Sequence, residues 1–164
     1  MTLFGVPGKG LDLYHIGLAV PDIHAAMEQY SAAFGFTWAR IRESTLEVIV
    51  DGERRRGQIT VTYSTQGPPY LELVQENRGS IWGADGFALS HVGFWAEDLN
   101  AGKRALDESG LVARVHDIGP DGQAVRFSYH PSGGGLWIEL VHTSFKSQLS
   151  DRIAETLREL GEGG

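Results

Sequence analysis

The sequence predicts an α+β fold made of two similar β-α-β-β-β modules followed by a C-terminal helix. An internal repeat is the first observation behind this. Residues 14–26, YHIGLAVPDIHAA, recur as residues 90–102, SHVGFWAEDLNAG. His15 falls on His91, Gly17 on Gly93, Asp22 on Asp98 and Ala25 on Ala101, all at one offset. A second echo pairs YLELVQ at 70–75 with WIELVH at 137–142 and sets Glu72 on Glu139. Its offset is smaller, so the second module is the shorter one. The third observation is an amphipathic stripe after the second echo.

The elements follow in order. Residues 12–20 form an apolar, β-leaning run that stops at Pro21. Asp22 is placed to cap a helix over 23–34, whose positions Ile23, Ala26, Met27, Tyr30, Ala33 and Phe34 keep the spacing of one buried face. Gly35 suits the residue after the helix. Strands are expected near 36–43, 46–51 and 57–64, with 70–76 closing the module. Asp51-Gly52 is a hairpin-type turn. The glycine-rich stretch NRGSIWGADGF then connects the modules. In module two Asp98 caps a helix bearing Leu99, Ala105 and Leu106, ended by Gly110. Strands are expected near 112–117, 124–130 and 136–142, with a turn at Asp121-Gly122. Phe145, Leu149, Ile153, Leu157 and Leu160 make the stripe of a last helix, 145–160. Residues 1–164 thus read as one domain: module one at 10–76, connector 77–86, module two at 87–143, then the helix.

Composition narrows the chemistry. A length of 164 residues and a hydrophobic fraction of 41% suit one globular domain. Cysteine is absent, which excludes disulfides, thiolate metal sites, iron–sulfur clusters and a cysteine nucleophile. Any metal must be held by His and carboxylates. With 14 Lys+Arg against 21 Asp+Glu, the net charge of −7 argues against a nucleic-acid partner. No secretory pattern opens the chain and no apolar run approaches a membrane span, so a soluble, cytoplasmic protein without a membrane partner is expected.

Four residues stand out as chemistry: His15, Glu72, His91 and Glu139. Each sits mid-strand among apolar neighbours at duplicated positions. Side chains alternate along a strand, so Glu72 shares a face with Tyr70 and Val74, and Glu139 with Trp137 and Val141. Two inward carboxylates are costly unless compensated. A divalent cation held by two carboxylates and two neutral imidazoles is compensated completely. The plainer reading is a hydrogen-bonded core histidine and a carboxylate facing water, repeated by chance.

Other positions carry two readings each. Tyr63, Tyr70, Trp95, Tyr129 and Trp137 wall a substrate pocket or simply pack the core. Trp82 lids the cavity or lies at a dimer interface. Arg54-Arg55-Arg56 is a solvated hairpin or a contact for phosphate or a CoA tail. His116 beside Asp117 is a surface pair or an acid/base, while His24, His130 and His142 are read as structural. Gly133-Gly134-Gly135 turns the chain into the Glu139 strand and is not a phosphate loop.

HIGLAVPD at 15–22, LEL at 71–73, HVGF at 91–94 and HPSGGGLWIELV at 130–141 together resemble the vicinal oxygen chelate superfamily. It includes glyoxalase I, methylmalonyl-CoA epimerase, extradiol dioxygenases and bleomycin or fosfomycin resistance proteins. The resemblance covers residues 12–142. It implies two βαβββ modules forming a curled mixed sheet around a central metal cavity. It also implies one divalent metal ion (Zn, Ni, Co, Mn or Fe) held by His15, Glu72, His91 and Glu139. In the family the metal is a Lewis acid that stabilises an enolate or similar oxyanion. HPSGGGLWIELV is most like the epimerase and glyoxalase branch; the glyoxalases use a metal-ligating glutamate as base, and this resemblance gives Glu139 or Glu72 a catalytic role. The epimerase branch carries an acid just before the strand that here begins near Gly57, and the nearest acids are Glu53, Glu47 and Glu43. The expected function is a metal-dependent isomerase, epimerase or lyase acting on a small carbonyl compound or thioester, as a homodimer. The alternatives are a non-catalytic small-molecule binding or drug-resistance protein and an Fe(II) ring-cleaving dioxygenase, the latter disfavoured by the second carboxylate.

Overall fold

The computed structural model describes residues 5–6, 11–83 and 90–162. Its elements are β1 (Gly5–Val6), β2 (Leu11–Val20), α1 (Ile23–Phe34), β3 (Arg42–Val50), β4 (Glu53–Tyr63), β5 (Tyr70–Gln75), β6 (Ser90–Ala96), α2 (Leu99–Glu108), β7 (Val115–Asp117), β8 (Phe127–Pro131), β9 (Trp137–His142), a 3-10 turn (Thr143–Phe145) and α3 (Lys146–Glu162). The capping residues do what the sequence asks of them. Asp22 Oδ1 accepts from the Ala25 N–H at 3.0 Å, and Asp98 Oδ1 accepts from the Ala101 N–H at 2.8 Å. Each such cap stabilises its helix by about 1 kcal/mol. Gly35 ends α1 at φ 73, a left-handed conformation that only glycine adopts without strain.

The strands form one mixed sheet in the order β1-β2-β5-β4-β3-β7-β8-β9-β6, and a further β2–β6 pairing closes it on itself. Within each module the first strand pairs in parallel with the last, β2 with β5 and β6 with β9. Two antiparallel seams join the modules. One is β2 against β6, and the other is β3 against β7 through Val48–Val50 and Val115–Asp117. The second seam is pinned by Arg114, whose guanidinium donates to both Asp51 carboxylate oxygens at 2.7 and 2.5 Å.

Strand alternation sorts the side chains. Leu73 points outward against Ile23 and Ala26 of α1, and its repeat partner Leu140 points outward toward Leu99 of α2. The neighbours Glu72, Val74, Glu139 and Val141 therefore point inward. Inside, Val48, Val50, Val61, Val74, Ile81, Trp82, Val115 and Phe127 fill one part of the enclosure. Tyr14 and Trp95 pack with Leu149 and Ile153, so α3 lies against this interior.

Four expectations need correction. The separate strand near 36–43 does not exist. That stretch touches the sheet through one bridge, Trp38 to Ser64, and Arg42–Val50 is a single strand running through Ser44-Thr45. Asp121-Gly122 turns within the longer 118–126 connection and is not a two-residue hairpin. Its order comes from the buried Asp117, which accepts from the N–H groups of Val125, Arg126 and Phe127. Only part of the last helix's stripe is covered, because Leu157 and Leu160 remain 50% and 54% exposed. Trp82 is 1% exposed, packs in the core and lines its cavity, so of its two readings the surface interface is the one that falls. Asp51-Gly52 does form the expected tight turn, at φ 51 and 85. Residue 10, residues 84–86 of the connector and residues 87–89 of module two lie outside the described residues. Among the described residues, no helix is long and apolar enough to cross a membrane.

Candidate metal centre

Closing β2 against β6 brings the two histidines together. His15 sits opposite Gly93 and Gly17 sits opposite His91, so each imidazole lies over the other strand's glycine. A methyl group on Gly17 would overlap the His91 ring, and one on Gly93 would overlap the His15 ring. The duplicated His-x-Gly spacing is therefore a reciprocal device. One residue of each pair is the ligand candidate, and the other clears room for its counterpart.

The parallel partners supply the carboxylates. Gly17 is in register with Glu72 on β5, and Gly93 with Glu139 on β9. Four donor atoms from His15, Glu72, His91 and Glu139 lie within 4.8 Å of one another. The Nε2 atoms of His15 and His91 are 2.9 Å apart. Glu72 Oε2 is 2.8 Å from His91 Nε2 and 3.4 Å from His15 Nε2. Glu139 Oε2 is 3.1 Å from His15 Nε2 and 3.6 Å from His91 Nε2. Both histidines are fully buried, and Glu72 and Glu139 are 5% and 6% exposed. Ligands held tetrahedrally at about 2.0–2.1 Å from a metal are about 3.3 Å from each other. The observed separations scatter around that value, and two carboxylates neutralise a dication. The donor set fits a divalent cation.

Each carboxylate also has a tyrosine. Tyr63 of β4 stands opposite Glu72, and Tyr129 of β8 stands opposite Glu139. Burial pushes both phenols well above 10, and the nearby glutamate charges push them the same way. Tyr14 is raised by the same causes. All three stay neutral and able to donate. For Glu72, burial opposes ionisation. Interaction with the adjoining His15 and His91 imidazoles outweighs it and lowers Glu72 below the usual carboxylate range.

A cavity of about 150 Å³ opens beside these groups. Glu72 and Glu139 line it, together with Tyr63, Trp95 and Tyr129 from the pocket set expected from sequence. Tyr70 and Trp137 do not line it but pack against neighbouring clusters. Sequence reasoning missed Tyr14, Phe127 and three arginines, Arg42, Arg126 and Arg152, that also reach the cavity. Phe145, Gln148 and Leu149 bring the start of α3 to its wall. Glu43, Glu47 and Glu53 are exposed and absent from the lining, so Glu72 and Glu139 are its carboxylates among the described residues.

The remaining histidines lie elsewhere. His130 is buried, donating from Nδ1 to the Leu111 carbonyl and accepting from Ser128 Oγ at 2.9 Å. His116 donates to the Asp117 carbonyl at 2.7 Å, His142 accepts from the Ser144 N–H, and His24 is exposed on α1. Arg54, Arg55 and Arg56 are all exposed on β4.

A curled, duplicated sheet with a buried His/Glu cluster at its module seam defines a class of protein. Residues 14–129 match that class, and the chain belongs to the Glyoxalase/Bleomycin resistance protein/Dioxygenase superfamily. Solved structures agree on the fold. The methylmalonyl-CoA epimerase of Mycobacterium tuberculosis aligns with a TM-score of 0.55 at 22% identity, over 84% of this chain and 91% of that one. A variant of the Streptomyces coelicolor methylmalonyl-CoA epimerase, solved with 2-nitronate-propionyl-CoA, aligns at 0.52 and 22% identity, over 79% and 92%. A selenomethionine methylmalonyl-CoA epimerase aligns at 0.51 and 18% identity, over 79% and 93%. Comparison with curated protein sequences finds no match.

Proposed function

We propose that this chain is a divalent-metal-dependent isomerase or epimerase, or a lyase of related chemistry, that works by removing a proton next to the carbonyl of a small carbonyl compound or thioester. The observation that carries this reading is the convergence of His15, Glu72, His91 and Glu139 within 4.8 Å beside a cavity. When bound, a divalent cation supplies Lewis-acid stabilisation of the negative charge that develops on a carbonyl oxygen. His15 and His91 hold it as neutral imidazoles, which suits their burial.

Glu72 or Glu139 takes the proton, since the cavity offers no third carboxylate among the described residues. The two belong to equivalent strands of the two modules, and in this reading one removes a proton and the other returns it. Tyr63 and Tyr129 stand opposite the carboxylates and stay neutral. Trp95, Phe127 and Tyr14 exclude water, which strengthens every charge interaction in the enclosure. The same reading takes the chain as a single-domain cytoplasmic homodimer. Exposed Leu157 and Leu160 on α3 offer an apolar strip for such an interface, and the lack of cysteine suits that compartment.

The test is elemental analysis of protein purified without a metal-binding tag, followed by a thermal-shift screen with Ni, Co, Mn and Zn. About stoichiometric metal, a higher melting temperature with one of these ions, and loss of both metal and turnover in His15→Ala and Glu139→Gln are expected. Full metal occupancy in both variants would overturn the site. A protein that neither holds metal nor gains stability from it would be a small-molecule binding protein instead.

A further inference from the structure

Three arginines reach a cavity in a chain whose net charge is −7, and their partners differ. Arg126 is neutralised: its Nε donates to the buried Asp117 Oδ2 at 2.9 Å. Arg42 has no hydrogen-bond acceptor and no carboxylate partner among the described residues. Arg152 donates to the Arg40 backbone carbonyl at 2.8 Å, and no carboxylate pairs with it among the described residues. The acids of α3 that could have done so are used elsewhere. Glu159 and Glu155 both pair with the exposed Arg40, Glu155 at 3.8 Å.

Arg152 is half-buried, with its guanidinium carbon 5.9 Å from the centre of the Tyr63 ring. Burial lowers its pKa, and the Arg42 charge lowers it further. Tyr63 and Glu72 act in the opposite sense, so Arg152 is within electrostatic reach of the metal centre. Arg42 is exposed and Arg152 half-buried, and both reach the same cavity. An oxyanion there accepts their forked N–H donors and draws on both charges.

We propose that Arg42 and Arg152 form an oxyanion subsite of this cavity, so that the substrate carries a carboxylate or phosphate in addition to the oxygens that face the metal centre. This deepens the reading of the cavity as a catalytic site and rests on it for the word substrate alone; the anion subsite itself stands on the arginines. It also gives α3 a purpose beyond covering the sheet. The helix closes the wall with Gln148 and Leu149 and adds one of the two charges that choose the ligand.

The experiment is isothermal titration calorimetry on the full chain, metal-loaded and chelator-stripped, with succinate, succinamate and phosphoglycolate. Succinamate keeps one carboxylate and replaces the other by a neutral amide. Succinate is expected to bind about ten-fold or more tightly than succinamate. Arg152→Gln and Arg42→Gln should each collapse that ratio toward one, with metal content unchanged. Phosphoglycolate tighter than succinate assigns the subsite to phosphate, and the reverse assigns it to carboxylate. Absence of binding by every charged probe, no preference in the parent protein, or a preference kept in both variants would overturn the subsite. Melting curves identify a variant that fails to fold, in which case the other variant is decisive. Failure of the metal reading shows separately, as missing metal with succinate binding to the stripped protein that Arg152→Gln and Arg42→Gln still weaken.

Discussion

Gly17 lies across the β2–β6 seam from His91, and the imidazole occupies the space that any side chain at position 17 would need. Gly17→Ala, and equally Gly93→Ala against His15, should expel a ring from the cluster. Overpacking of this kind costs about 1–3 kcal/mol. Metal content per chain should fall together with the melting temperature. Gly133→Ala is the control, since nothing lies near its missing Cβ, and it should keep the parent's metal content.

Tyr63→Phe and Tyr129→Phe each remove the phenol that stands opposite one carboxylate. Groups that orient metal ligands are worth about 10–100-fold in affinity or activity. Chelator competition should therefore show weaker metal binding in both variants, by about the same factor because the two pairs are repeat-related. A change confined to one of them would mean that the two carboxylates do unlike jobs.

Asp117 is 1% exposed and serves three backbone N–H groups as well as Arg126. Asp117→Ala leaves these buried donors without an acceptor. Urea denaturation should show a loss of about 2–4 kcal/mol. Freed from its carboxylate, Arg126 would also add charge to the cavity.

His130 gives a pH dependence that is independent of the metal cluster. Burial lowers its pKa below the ordinary imidazole value, against the opposing pull of its hydrogen bond to Leu111 and of Asp107. The unfolded chain takes up the proton near pH ~6.5. Between that value and the folded pKa the unfolded state binds more protons, so stability is full above pH ~6.5 and falls as the pH drops below it. Urea midpoints at pH 7.5 and 5.5 should differ in that sense. The His130 ring resonances should hold their neutral shifts by NMR while a free imidazole titrates.

The convergence of the two His and two Glu was legible in the sequence because duplication writes it twice. Finding His15 and His91 needs only an alignment of the chain with itself, and period-two alternation then turns Glu72 and Glu139 inward. The caps Asp22 and Asp98 were legible for a local reason, since each bonds an N–H three residues on. Ser44-Thr45 misled as a break in β3. Polar residues in a strand look like a turn until it is known that Ser44 faces a cavity. The arginines were illegible because their placement depends on α3 folding back over distant strands. Arg152 meets the Arg40 carbonyl across 112 positions of sequence. One signal was available: Arg152 falls on the same helical face as Leu149, Ile153 and Thr156, where a charged residue is out of pattern.

The reciprocal arrangement of His15 and His91 also bears on how the chain comes together. They are 76 positions apart, and the carboxylate that completes the cluster lies on the last strand. During synthesis the first module emerges with one imidazole and one glutamate turned toward a space that no counterpart yet fills. Its Gly17 waits for a ring that has not been made. The β2–β6 seam joins residues 76 positions apart, so the entropy of bringing such distant segments together opposes closure until the second module is available. A chain truncated before Glu139 would retain its capped first helix and still have no centre around which to close.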